Sequence, residues 1–149
     1  MAKHSALDTL LELAQTRTDD AARQLGALTA QGMDMETKLA LLTQYWNEYS
    51  ARFQSAMKQG ITASDWRNYQ EFLNKIDAAI VQQREVLAAA RERVQAGQVV
   101  WQSARRTLKS YDTLAQRQTG AELLRMARHE QKETDERTSN AAARQSGLG

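Results

Sequence analysis

Lys58-Gln59-Gly60-Ile61-Thr62-Ala63-Ser64 is the stretch on which the fold turns. On both sides of it apolar residues recur at alternating spacings of three and four, and within it that pattern stops. Gly60 can adopt the left-handed conformation that ends a helix. Thr62 or Ser64 can cap the next helix, with Asp65 favourable in its first turn. No other interior site carries both a stop and a start signal. The expectation is two long helices, at about 5–58 and 65–137, joined by a bend at 59–64.

Upstream of the bend, one row of heptad positions reads Leu7, Ala14, Ala21, Leu28, Met35, Leu42, Tyr49, and the other Leu11, Thr18, Leu25, Gly32, Leu39, Trp46, Phe53. Twelve of these fourteen are apolar over seven heptads, where three or four support a coiled coil. Downstream, a second seam runs from Trp66, Tyr69, Leu73, Ile76 and Ile80 through Gln83, Leu87, Ala90, Val94 and Gly97. It continues to Trp101, Ala104, Leu108, Tyr111 and Ala115, with thirteen of fifteen positions apolar. Strict seven-residue spacing underwinds a helix and imposes a left-handed supercoil. The fold class is therefore all-α, a long two-helix antiparallel coiled-coil hairpin. Folding back at Ile61 pairs residues whose numbers sum to roughly 122, so that Trp101 faces the region of Ala21 and Leu108 faces Ala14, large against small. Asp19 and Asp20 would approach Arg105 and Arg106 as rim ion pairs, each worth ~0–1 kcal/mol. The first helix runs out opposite about residue 116, so the chain beyond Gln118 overhangs without an intramolecular partner. Residues 138–149, polar and small, are expected to be a disordered tail.

Composition agrees. The 149 residues include no proline and seven glycines, and Ala, Glu, Lys, Leu and Arg fill 70 positions, near the half that marks long helices. A chain without proline has few sharp corners, which argues against a β-sandwich or an ordinary α/β enzyme. A mean hydropathy of −0.66 with 42% hydrophobic residues suits a molecule that buries one stripe and wets the rest. With no cysteine there is no disulfide, thiol nucleophile or cysteine-ligated metal, and a reducing cytosol fits. No apolar run approaches the 18 or so residues of a membrane span, and the N-terminus lacks the long apolar stretch of a secretory signal. The net charge of +2 is too even to make nucleic acid the main partner.

Nothing points to catalysis, cofactor or metal. His4 and His129 are the only histidines, and the pairs Asp19-Asp20 and Asp135-Glu136 diverge by about 100° on a helix. The isolated glycines make no phosphate loop. Seven of the nine aromatics lie between residues 45 and 72. Trp46, Tyr49, Phe53, Trp66 and Tyr69 belong to the seam and read as packing. Tyr45 and Phe72 fall off it, near Leu41, Ile76 and Ala79, and read equally as partner contact or packing. Arg91, Arg93, Arg105, Arg106 and Lys109 against Glu92 make a basic stretch, read first as a solvated face. Gly32 and Gly97 mark either a local bend or a close helix approach.

Several motifs resemble the flagellar export protein FliJ family. They are Leu7-Asp8-Thr9-Leu10-Leu11 with Asp19-Asp20-Ala21-Ala22-Arg23; Tyr45-Trp46-Asn47-Glu48-Tyr49; and Gly60-Ile61 followed by Trp66-Arg67-Asn68-Tyr69-Gln70-Glu71-Phe72. Leu114-Ala115-Gln116-Arg117-Gln118 and Glu133-Thr134-Asp135-Glu136 follow, so the likeness covers residues 1 to about 137. The resemblance implies a non-enzymatic component of the bacterial flagellar type III export apparatus, similar to the central stalk of rotary ATPases. It would insert into the export ATPase ring, link it to the cytoplasmic domain of the membrane export gate FlhA, and handle export chaperones. Flagellum assembly, motility and chemotaxis would depend on it, and it would sit in the cytoplasm, peripheral to the inner membrane through the gate. The gate-binding positions implied are Leu42, Tyr45, Tyr49, Phe72, Ile76 and Ala79, with Lys38 and Gln83 beside them. The ATPase-binding end implied is Leu7, Leu10, Leu11 and Ala14 with Gln118, Leu123 and Met126. Two other readings stand: a self-associating structural coiled coil, and a nucleic-acid or lipid binder using Arg91 to Lys109.

Overall fold

A computed structural model describes residues 5–147. Two helices, α1 (Ala6–Gln59) and α2 (Ala63–Ser146), pack against each other, with no strand among the described residues. Each start has a chemical cause. Ser5 and Asp8 form a reciprocal cap before α1: the Asp8 N–H donates to Ser5 Oγ, and the Ser5 N–H to Asp8 Oδ2, both at 3.1 Å. This satisfies donors that a helix start otherwise leaves orphaned. At the other end Gly60 has φ of +87°, and its N–H donates to Met57 O. Of the two candidate caps the structure uses Thr62, whose Oγ1 accepts from the Asp65 N–H at 3.1 Å. The bend is thus three residues, tighter than expected, because the cap falls immediately after the left-handed glycine.

The chain divides into two compact units. One comprises residues 17–104 and includes the bend; the other comprises residues 1–16 and 105–149. In the first, the arms are antiparallel and in the expected register. Gln83 Nε2 donates to Met35 O at 3.0 Å across the seam, the rings of Phe53 and Tyr69 lie 5.3 Å apart, and Gly97 abuts Leu25 and Leu28. Its core is Thr18, Ala21, Leu73, Ile76, Ile80, Leu87 and Ala90, every one a predicted seam residue. Trp66 alone among the seam residues is exposed, because it lies in the first turn of α2 beside Met57 of α1 and the bend residues Gly60 and Ile61. Asp20 pairs with Arg23, three residues along its own helix, at 3.7 Å.

The two seam glycines differ. A Cβ at Gly97 would come within 3.0 Å of Leu28 Cδ1 and 3.8 Å of the Leu25 Cα, so this is a close helix approach. One at Gly32 would meet only Val94 Cγ2, at an ordinary 3.8 Å.

In the second unit, the start of α1 packs on α2: Leu11, Glu12 and Gln15 share a groove with Arg105, Leu108, Lys109 and Asp112. Ala14 is buried and Leu108 half-buried. From residue 116 to 147 every residue is exposed. The structure also carries α2 past Arg137 to Ser146, through the segment expected to be disordered. The physical reason is local: Ala141, Ala142 and Ala143 are strong helix formers, and no proline interrupts. The hydroxyls of Thr134 and Thr138 bond back to carbonyls one turn earlier and do not compete for another conformation. Leu148 and Gly149, like His4, lie outside the described residues.

Candidate partner-binding surfaces

Around the bend, the residues singled out for the gate sort by what they touch. Tyr49, a seam residue, stacks on Phe72 at 4.1 Å between ring centroids and lies 5.9 Å from Tyr69. The Arg52 guanidinium sits 5.9 Å above its ring. Off-seam Phe72 is therefore anchored on one face while remaining 42% exposed. Tyr45, 48% exposed, has no ring partner among the described residues. Leu42 and Ala79 are half-buried and Lys38 is exposed. Ile76 is only 7% exposed and belongs to the core. Gln83 is held by Met35 and does not project freely. What α1 and α2 present here is a patch of Tyr45, Phe72 and the edge of Tyr49, with exposed Leu41 on the same helix as Tyr45.

Sequence reasoning missed one member. Trp46 Nε1 is buried without a hydrogen-bond partner, which costs on the order of 1–3 kcal/mol. Its seam position announced burial of the ring, and nothing in the spacing announces an unsatisfied N–H.

In the unit that holds the start of α1, Leu7 and Leu11 are half-buried, Ala14 buried and Leu10 exposed. Gln118, Leu123 and Met126 are all exposed, the last two at 62% and 60%. Leu123 and Met126, with Leu114 and Leu124, also exposed, make an apolar run on a helix whose surface from residue 116 onward faces solvent. Soluble proteins rarely leave such runs wet without a partner.

Among the described residues no three His, Asp or Glu side chains converge where they could hold a metal. The one histidine described, His129, pairs with Glu133 at 3.2 Å on an exposed face. No helix among the described residues is long and apolar enough to cross a membrane.

A family profile described as "Flagellar FliJ protein" matches residues 3–147. The chain belongs to the FliJ family. A flagellar FliJ protein of Salmonella typhi is 38% identical over 144 residues, covering 97% of this chain and 98% of its own length. One of Escherichia coli strain K12 shows the same identity and coverage. Membership in the FliJ family thus spans both surfaces described above.

Proposed function

We propose that this protein serves the bacterial flagellar export apparatus as a non-catalytic coupler, a stalk-like element between the export ATPase ring and the FlhA gate. The open end would be clasped by the ring through Leu10, Leu123 and Met126. The aromatic patch near the bend would meet the gate's cytoplasmic domain through Tyr45 and Phe72, with Leu42, Tyr49, Ile76 and Ala79 shaping it from beneath. Export chaperones would be handled by the same helices, and the protein would work in the cytoplasm, peripheral to the inner membrane.

The observation that carries this reading is the exposure of residues 116 to 147, a helix that keeps apolar side chains wet in a chain of the FliJ family. Isolated helices are marginal in water, and a surface that packs on a partner gives such a segment its stability. The aromatic patch supports a second, separate contact, since Tyr is enriched where interfaces concentrate their energy. The test is a pull-down of the export ATPase and of the gate's cytoplasmic domain with the full chain and with a chain ended after Gln118. Loss of ATPase capture with gate capture retained is the expected result. Equal capture of both by the two chains would overturn the assignment of ends.

A further inference from the structure

Between residues 106 and 132, α2 carries six cations and three carboxylates, and helix geometry sorts them to different sides. Arg106, Arg117 and Arg128 follow one another at intervals of eleven residues. Eleven residues are almost three whole turns, so the three arginines fall on one line along the helix, about 16 Å apart. Lys109, Arg125 and Lys132 all lie within about 80° of that line. Asp112, Glu122 and Glu130 lie about 140° from it, on the far side. The line meets no carboxylate until Asp135, which accepts a hydrogen bond from Gln131 at 3.1 Å. All six cations are exposed, and no ion pair holds any of them among the described residues. Arg106, Lys109 and Arg117 line one open groove with Ser110, Thr113 and Leu114, as positions on one side must. Like charges gathered on a side without counter-charges repel one another, and such a surface calls for an anionic partner.

We propose that this side of α2 rests on an acidic phospholipid surface, with the arginine row at the level of the phosphates. The shape and chemistry of the row select that occupant. A straight row about 33 Å long can meet a plane along its whole length. Leu114 and Leu124, 49% and 54% exposed, stand among the cations. There they gain by dipping into the boundary between headgroups and acyl chains, and have nothing to gain against the phosphates of a duplex. No aromatic residue follows Tyr111, so the row offers a single strand no platform for stacking bases. No helix among the described residues is long and apolar enough to cross a membrane, so the contact lies on the surface. Each cation beside an acidic leaflet strengthens binding about fivefold, and several together make a reversible attachment.

The row is also distinct from the apolar side chains assigned above to the ring. Leu123 lies about 120° around the helix from it and Met126 directly opposite. The inference does not rest on the function proposed above, because its test contains this protein and lipid alone.

That test is co-flotation of the full chain with vesicles of phosphatidylcholine, either pure or containing about 30% phosphatidylglycerol. Binding to the acidic vesicles alone is expected at about 0.1 M salt, and about tenfold weaker binding at about 0.5 M, as the charges are screened. Arg117→Gln with Arg128→Gln should weaken it about 25-fold, with helicity unchanged by circular dichroism. Arg67→Gln with Arg84→Gln removes the same charge from exposed positions of the other compact unit and should bind as the parent does. Leu124→Ser should weaken vesicle binding severalfold. Absence of binding to acidic vesicles would overturn the inference, as would equal losses in the two arginine pairs. Tighter binding to a duplex DNA oligonucleotide than to the vesicles, undiminished in Leu124→Ser, would overturn it too and assign the row to nucleic acid.

Discussion

Replacing Tyr45 and Tyr49 by alanine, one at a time, separates a partner contact from a packing contact within one turn of helix. Tyr49 is half-buried, stacked on Phe72 at 4.1 Å and near Tyr69. Removing a fully buried aromatic costs ~3–5 kcal/mol, and half that burial scales the loss to about 2 kcal/mol. The ring pair supplies about 0.5–1.5 kcal/mol of that specifically. For a chain of this size each kcal/mol moves Tm by about 2–4 °C, so Tyr49→Ala should melt about 4–8 °C lower. Tyr45 is half exposed and stacks on no ring, so Tyr45→Ala should stay within about 0.5 kcal/mol of the parent, a shift under about 2 °C. If Tyr45 anchors the gate contact, its loss should nonetheless weaken capture of the gate domain by about 30-fold, the range of an interface hot spot. Thermal melts followed by circular dichroism and a titration with the gate's cytoplasmic domain measure the two effects. A Tyr45→Ala chain that melts like Tyr49→Ala, or a Tyr49→Ala chain that melts like the parent, would refute the division.

Gly32→Ala should raise Tm by about 2–4 °C, because it gains about 1 kcal/mol of helix propensity with room for the methyl; Gly97→Ala should lose most or all of that gain, since Leu28 must move aside, and equal melts for the two would count against the close approach. Thr62→Ala removes the oxygen that accepts from Asp65 and should cost about 1 kcal/mol, read by urea denaturation. Trp46→Phe keeps most of the ring and removes the unpartnered N–H, so it should cost under about 1 kcal/mol while Trp46→Ala costs several times more. A chain ended after Gln118 should retain the melting temperature of the parent within a few degrees, since every residue from 119 to 147 is exposed.

The seam was legible because period and burial are the same fact seen twice. Every α1 position from Leu7 to Phe53 in the two heptad rows is shielded, as is every α2 position from Tyr69 to Ala115. The bend was legible because Gly60 followed by Thr62 leaves the backbone one economical way to end and restart a helix. The end of α2 was not legible, because the polar, small composition of residues 138–149 reads as disorder, whereas Ala141 to Ala143 carry the helix on. Beyond Ala115 the helix persists on local propensity, which leaves no apolar period to read. The candidate site was legible only in part. Spacing set Tyr45 and Phe72 apart from the core, but it could not tell that Phe72 is anchored by Tyr49 while Tyr45 stands clear. Likeness to a family marks positions without marking exposure, which is why Ile76 and Ala14, both buried, stood beside truly exposed residues.

A seam that repeats every seven residues around a three-residue turn has an evolutionary corollary. Between residues 17 and 104, deleting one heptad from each arm at matched depth would leave every surviving side chain opposite its former neighbour. Removal from one arm alone would shift all pairs by a full repeat. Reach in such a molecule is adjustable in quanta, and lineages can lengthen or shorten it without redesigning what lies at either extremity.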